Sequence, residues 1–344
     1  MTTEHHDVVV IGGGQAGLAA GYYLRRAKAD YVILDAGTAP GGAWRHYWDS
    51  LHLFSPAEFS TLPGWWMPQQ EGHPFPTRDH VVDYLAAYEK RYELPIRRPV
   101  TVHSVHRDGE HSLVRTDTGD HRARTVISAT GTWRSPHTPD VPGRDLFRGR
   151  RLHTADYRNP DDFTGQHVVI VGGGNSAAQI LAEISTVATT TWTTLRPPRF
   201  LPDHIDGRDL FHVATHAAAN PGAPGVGDLG DIVMVPSVKE ARERGVLVAR
   251  PMFDRVTETG IAWDNGETLD VDAIIWATGF RAHLDHLAPL GLTGEDGRIA
   301  VDGTRAVEEP RLHLLGFGNW TGPASATIIG AARSAKAAIA QLVA

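Results

Sequence analysis

The chain has 344 residues, is 41% hydrophobic and 21% charged, and carries a formal net charge of −7. That length supports one large or two medium domains with real cores, and the acidic balance argues against a nucleic-acid or anionic-membrane partner, either of which needs a basic surface. The absence of cysteine excludes disulfides, thiolate metal sites and cysteine nucleophiles.

The N-terminus, "MTTEHHDVVVIGGG", has no basic leader region and enters a strand pattern almost at once. No apolar run reaches bilayer length, so the expected location is the cytoplasm and no membrane partner is expected. Asp7 to Ile11 has the pattern of a buried parallel strand, with a continuous β-branched run. Gly12, Gly14 and Gly17 follow as G-x-G-x-x-G, then a helical stretch, then a strand from Tyr31 to Leu34 that ends in Asp35. In this order each residue has a task. Gly12 makes the tight turn and Gly14 lets a pyrophosphate approach a helix N-terminus. Gly17 allows close helix–strand packing, and the Asp35 carboxylate can accept a ribose hydroxyl. This is a dinucleotide-binding unit.

Next in the chain, "TRDHVVDYLAAYEKRYEL" places Val81, Val82, Leu85 and Tyr88 at helical spacing. Three short strand patterns between Val100 and Ile127 read as a β-meander closing the first domain. The third runs into Ala129-Thr130-Gly131, a triplet repeated as Ala277-Thr278-Gly279. Small residues at a strand end let two backbones or a cofactor come close, so both triplets are expected to join domains. Leu146 to Asn159, "LFRGRRLHTADYRN", is basic and has no evident helix or strand period.

Gly165 to Arg196 repeats the dinucleotide unit, with Gly172, Gly174 and Ala177 as G-x-G-x-x-A and a second strand over Thr190 to Leu195. Gly12 and Asp35 are 23 positions apart, and the same offset from Gly172 lands on Leu195. Thr194 and Arg196 flank that position and no acid occupies it. A hydroxyl with an arginine suits a 2′-phosphate, so NADPH is expected, with NADH the alternative. Two such units in one chain point to FAD on the first and the nicotinamide cofactor on the second. "LPDHIDGRD" (Leu201 to Asp209) reads as a solvated loop, with a substrate- or NADPH-side loop the lesser reading. "ANPGAPGVGDLGD" (Ala219 to Asp231) reads as a flexible loop or lid. The chain closes with a strand, a Gly-rich turn and an alanine-rich helix beginning near Ala324 to Thr327, whose N-terminus could face the flavin edge where negative charge develops.

The nineteen histidines include the spaced pairs His103/His106 and His283/His286. Neither has carboxylates at ligand spacing, so no metal site is expected. Trp44, Trp48, Trp65 and Trp66 are candidates for a substrate tunnel, although core packing explains each equally well.

Taken together, these features resemble the class B flavin-dependent monooxygenases, which include flavin-containing monooxygenases, N-hydroxylases and Baeyer–Villiger enzymes. The most specific match is the fingerprint F-x-G-x-x-x-H-x-x-x-(F/Y/W), met by Phe147, Gly149, His153 and Tyr157. "PGGAW" (Pro40 to Trp44), both glycine motifs, both ATG triplets and the final helix extend the likeness over essentially the whole chain. The tyrosine at 157 is similar to heteroatom-oxidising members. The short length, with "DSLHLFSPAEFSTLPGWWMP" and "LRPPRFLPD", most resembles the small bacterial group associated with arsenic operons.

The resemblance implies an α/β fold of two Rossmann-like, three-layer dinucleotide-binding domains. The FAD domain would comprise residues 1–157 and 284–344, with an NAD(P)H domain inserted over 158–283. It implies an enzyme that takes NAD(P)H and O2 as co-substrates and oxygenates a small sulfide or amine through a C4a-hydroperoxyflavin. The alternatives are an NAD(P)H:FAD oxidase or electron-transfer reductase without oxygen insertion, a Baeyer–Villiger-type activity, and a non-enzymatic nucleotide sensor. A thioredoxin-reductase-type dithiol enzyme is excluded by the missing cysteines. Homodimerisation is left open.

By matching, Gly12, Gly14, Gln15, Ala16 and Asp35 would hold the ADP part of FAD, and Trp44 would pack near it. Asn319 and Thr327 would approach the ribityl chain and isoalloxazine, and Val102, Ala129 and Thr278 complete the cofactor set. Gly172, Gly174, Asn175, Ser176 and Gln179 would cradle the NADPH pyrophosphate. His153, Phe54 and Tyr157 are the candidates for catalysis. Two departures stand out. Asn319 replaces an acid common in related reductases, and Phe54 stands where flavin-containing monooxygenases carry an active-site Asn, which implies a shorter-lived oxygenating species and peroxide leakage.

Overall fold

A computed structural model describes residues 3–220 and 230–342. Contacts divide the chain into two compact units: Met1–Arg45, Ser55–Ser135 and Ala282–Ala344 form the first, and His46–Phe54 with Pro136–Arg281 the second.

In the first unit, β1 (Glu4–Ile11) pairs in parallel with β2 (Tyr31–Leu34) on one side and with β6 (Asp120–Ser128) on the other. Covered on both sides, Val8 to Ile11 are at most 5% exposed, which explains their unbroken apolar run. β3 (Ile96–Arg97) extends the sheet beyond β2, and β17 (Leu312–Leu314) extends it beyond β6. The hairpin-like β15 (Val301–Asp302) and β16 (Arg305–Ala306) finish that edge. The expected meander is β4 (Val102–Asp108), β5 (His111–Thr116) and the first half of β6, paired antiparallel. Helix α1 (Gln15–Ala27) packs against β1, β2 and the C-terminal helix α6 (Ile328–Leu342). Helix α2 (Arg78–Arg91) starts at the Thr77 hydroxyl, which accepts from His80 N at 3.2 Å, and buries Val81, Tyr84, Leu85 and Tyr88.

The second unit holds five parallel strands in the order β10-β9-β8-β14-β7: Ala249–Pro251, Thr189–Thr194, His167–Val171, Ala273–Trp276 and Arg150–His153. Helices α3 (Asn175–Ile184) and α5 (Pro236–Glu243) pack on each other, and β11 (Arg255–Val256), β12 (Gly260–Ala262) and β13 (Thr268–Asp270) form a small separate sheet. The mixed α/β class with two parallel-sheet units is the expected one.

Three features differ from the sequence-based expectation. Contacts divide the chain at Ser135 and Pro136, not at Tyr157. The cause is β7, which pairs with β14 and so draws the preceding segment into the second unit. Residues 46–54 also join that unit. Trp48 lies in its core beside Tyr157, and Asp49 N donates to Arg158 O at 2.9 Å.

The charged "LPDHIDGRD" is not simply a solvated loop. Asp206 and Asp209 form a capping box that starts α4 (Gly207–Ala219), and Arg242 forks onto Asp203 at 2.7 and 2.8 Å. The expected lid over 219–231 lies largely outside the described residues, since 221–229 are not among them. Finally, the basic stretch at 146–159 contains a strand. Arg150 and Arg151 face water while Leu152 and His153 are buried. Its arginines serve as ion-pair partners: Arg148 with Glu258, Arg150 with Asp162 and Arg151 with Asp145.

Candidate cofactor sites

The glycine turn of the first unit is shaped by close approach. A Cβ on Gly12, where φ is +106°, would sit 2.5 Å from Ala129 O, and one on Gly17 would sit 1.9 Å from Gly12 O. Ala129 is therefore brought to the turn by the β1–β6 pairing, as its N donates to Ile11 O at 2.8 Å. A Cβ on Gly14 would meet nothing within 4 Å. Gly14 is also the N-cap of α1, with no side-chain cap and no acid in the first turn. Open space over an uncapped helix N-terminus fits a pyrophosphate, whose charge the N–H groups and helix dipole would balance.

Gln15 is clamped at both ends of its amide. Trp44 Nε1 donates to Oε1 at 2.9 Å, and Nε2 donates to Ala326 O at 2.6 Å. Ala16 packs under Gly316, where an added Cβ would lie 3.0 Å from the Ala16 Cβ.

Asp35 stands at the end of β2 as expected, with partners the sequence reading did not foresee. Its Oδ2 accepts from Arg98 Nε at 2.6 Å and its Oδ1 from Gly37 N at 3.1 Å. Arg98 turns its other two nitrogens to Glu89, both at 2.9 Å. Each Asp35 oxygen keeps a lone pair for a ribose hydroxyl, so the arginine orients the acid without consuming it. Arg98 and Glu89 carry no motif, and only the tertiary structure identifies them.

Val102 opens β4 and is half-buried. Asn319 and Thr327 have local roles. Asn319 Oδ1 accepts from Ala324 N at 3.4 Å, and Thr327 Oγ1 accepts from Gly330 N at 3.0 Å while donating to Ala324 O at 2.8 Å. Thr327 is thus the cap of α6, which begins at Ile328.

The second unit repeats the geometry. A Cβ on Gly172, where φ is +135°, would meet Ala277 O at 2.2 Å, and one on Gly174 would meet nothing within 4 Å. Gly174 caps α3 with no side-chain bond and no acid in the first turn, so this cradle too fits a pyrophosphate. Asn175 Oδ1 accepts from Val233 N at 2.8 Å, and Trp192 Nε1 donates to Gly172 O at 2.7 Å. These bonds hold the turn from either side. Ser176 is half-buried beside it, and Gln179 is buried one turn further along α3.

At the end of β9, Thr194 is 5% exposed and Leu195 is 88% exposed. Arg196 is exposed and has no ion pair among the described residues. Thr278 Oγ1 donates to His137 O at 2.5 Å.

The fingerprint residues all lie in the second unit, and each is explained there. Gly149 has no room for a side chain, since a Cβ would sit 2.4 Å from the Phe147 ring and 2.5 Å from Asp272 O. His153 Nε2 donates to Gly279 O at 3.0 Å while Nδ1 accepts from Ala155 N at 3.1 Å. That pattern fixes a neutral tautomer, and burial holds its pKa below the usual imidazole value. His153 ties β7 to the second ATG turn within one unit.

Tyr157 is 1% exposed and donates to Glu183 Oε2 at 2.9 Å. Burial raises the pKa of both groups. Ser50 Oγ binds the other Glu183 oxygen. Phe54 O accepts from Gly207 N at 2.7 Å, fastening its segment to α4. Among the tryptophans, Trp48 is core, Trp65 packs on Tyr84 and Trp66 is 74% exposed.

Comparison with known proteins agrees with this geometry. The family described as pyridine nucleotide-disulphide oxidoreductases matches residues 9–197. An uncharacterized oxidoreductase, CzcO of Bacillus subtilis (strain 168), is 32% identical over 86% of this chain and 87% of its own length. The indole-3-pyruvate monooxygenase YUCCA1 of Oryza sativa subsp. japonica is 27% identical over 80% of this chain and 77% of its own. The solved structure of a flavin-containing monooxygenase from Stenotrophomonas maltophilia is 50% identical, covers 99% of this chain and 98% of its own, and superposes with a TM-score of 0.91. On these matches, and with two uncapped dinucleotide cradles and the full fingerprint in place, the chain belongs to the class B flavin-dependent monooxygenases.

Proposed function

We propose that this chain uses NADPH and O2 to oxygenate a small soft nucleophile, a sulfide or an amine, with FAD on the first unit and NADPH on the second. The observation that carries the reading is the pair of open glycine cradles at Gly14 and Gly174 in a chain without cysteine. Electrons that pass from a nicotinamide to a flavin here have no dithiol to receive them, so they must leave to an external acceptor. When bound, the cofactors supply the redox chemistry: NADPH reduces FAD, and one atom of O2 goes to the substrate while the other leaves as water.

The chain supplies binding and placement. Gly12, Gly14, Gln15 and Ala16 seat one pyrophosphate at the α1 N-terminus, and Asp35, oriented by Arg98, receives the ribose. Gly172, Gly174, Asn175, Ser176 and Gln179 seat the other at the α3 N-terminus. Thr194 and Arg196 select the 2′-phosphate. His153 and Tyr157 act as positioning residues. Each is buried with its polar atoms engaged, so neither offers a free proton donor. The N-terminal end of α6, capped by Thr327, would favour negative charge on a reduced flavin through the helix dipole.

A second reading, oxidase activity without oxygen insertion, is favoured by Phe54, an apolar residue where related enzymes carry Asn. One experiment separates the two. Reduced enzyme is mixed rapidly with O2, and oxygenated product is counted per NADPH consumed across a panel of sulfides and amines. The proposal expects a transient C4a-hydroperoxide spectrum and measurable product, with coupling below unity that rises in Phe54→Asn. Direct reoxidation with peroxide as the sole product would overturn it.

A further inference from the structure

Glu4 and His6 are two residues apart on β1, so their side chains share one face of the strand. His121 on β6 stands directly beside Glu4 in the parallel register. One donor atom from each of the three lies within 4.8 Å of the others. His6 Nε2 is 3.8 Å from Glu4 Oε2, and the two imidazole rings stack with centroids 5.6 Å apart. His121 is 2% exposed, and the His6 side chain is 12% exposed. Both nitrogens of His6 and Nδ1 of His121 are buried with no hydrogen-bond partner among the described residues.

Buried imidazole nitrogens normally find a partner, and three orphans in one cluster call for one. We propose that Glu4, His6 and His121 form a binding site for a borderline divalent cation of the zinc type. Tetrahedral coordination at the usual zinc–ligand lengths puts neighbouring donors about 3.3 Å apart, a small side-chain adjustment from the distances present. Asp30 supports the assignment, because its Oδ1 lies 3.6 Å from His6 Nδ1. A carboxylate behind the second nitrogen of a metal-bound histidine fixes the ring and raises its basicity. Burial disfavours the protonated form of His121, which leaves a neutral donor. The counterweight is Arg97, which forks onto Glu4 with both bonds at 2.6 Å. The carboxylate has lone pairs for both partners, but the guanidinium repels a cation and keeps the site moderate in affinity.

The cluster lies at the N-terminal ends of β1 and β6, whereas the glycine turn and the first ATG triplet lie at their C-terminal ends. Eight strand residues separate the two ends by about 23 Å, so the ion is a staple of β1 on β6 and takes no part in the oxygenation. The site is independent of the proposed function.

The test uses tag-free, FAD-loaded enzyme stripped with chelator and titrated calorimetrically with Zn2+, alongside thermal melting. One Zn2+ per chain is expected, with a melting temperature that rises on binding and an unchanged flavin spectrum. Asp30→Asn should weaken binding roughly 10- to 100-fold, and Glu4→Gln, at a half-exposed position, by at least as much. Arg97→Gln should tighten it. His121→Ala should abolish it, and the two surface variants keep the test decisive if that protein fails to fold. The proposal is overturned by the absence of a stoichiometric site in the wild type, or by Glu4→Gln and Asp30→Asn proteins that bind as tightly as the wild type.

Discussion

The two glycine turns share a backbone and differ in what stands around it. Each begins with a positive-φ glycine pressed against the carbonyl of an ATG alanine, and each ends in an open helix N-terminus. At the third motif position the first unit needs glycine, because a Cβ on Gly17 would lie 1.9 Å from Gly12 O. The second unit holds Ala177 there, fully buried. At the end of the second strand the first unit has an acid pinned by Arg98, and the second has an exposed leucine beside an exposed arginine that makes no ion pair among the described residues. The parts proposed to touch a pyrophosphate are thus the same, since every dinucleotide has one. The parts proposed to touch the ribose differ, since that is where cofactors differ.

The sharpest way to break this comparison is to exchange the third position. Gly17→Ala should cost more than about 3 kcal/mol by backbone overlap and leave purified protein largely free of FAD. Ala177→Gly should cost only about 1 kcal/mol, the helix penalty of glycine. Absorbance ratio and melting temperature read both, and equal behaviour of the two variants would mean that the turns are not built differently.

A smaller contrast concerns acid. In the first unit His286 and His313 are almost fully buried, and burial pushes both pKa values down to about 4. The unfolded chain takes up protons there near pH 6.5, whereas the folded unit does not until about pH 4. Their contribution is therefore complete above about pH 6.5 and is lost as pH falls toward 4, at up to about 3 kcal/mol each. In the second unit burial lowers His153 and His167, which are less deeply buried groups than His313. Limited proteolysis between about pH 7 and 5 should cut the first unit earlier as acid is added. A stability profile flat across that range would contradict the buried neutral histidines.

The smallest expected effect tests the ribose end of the second cradle. Arg196→Ala should raise the KM for NADPH roughly tenfold, the scale of one lost charge-assisted contact, and leave the KM for NADH nearly unchanged. A parallel rise for both coenzymes would remove Arg196 from 2′-phosphate selection.

Local patterns carried much of this reading. The apolar run before Gly12, the glycine spacing, the meander and the α2 periodicity are short-range signals, and each element appears where its residues dictate. The β7 strand was hidden because an edge strand of four residues with two exposed arginines shows no alternation. The capping box of α4 was hidden because Asp206 and Asp209 read equally well as solvated charge. Residues 46–54 changed unit for a reason no window of sequence contains, namely that Trp48 packs beside Tyr157.

By itself, then, the sequence determined the two dinucleotide cradles, the missing dithiol and the family, because turn glycines, helix starts and composition act over a few residues. Only the tertiary structure decided the partners. Arg98 on Asp35 is 63 positions away, Tyr157 on Glu183 is 26, and His153 on Gly279 is 126. His6 and His121 meet only because β1 and β6 pair. Such contacts depend on which strands become neighbours, and that is settled by burying two sheets' worth of apolar surface at once, not by any residue's own preference.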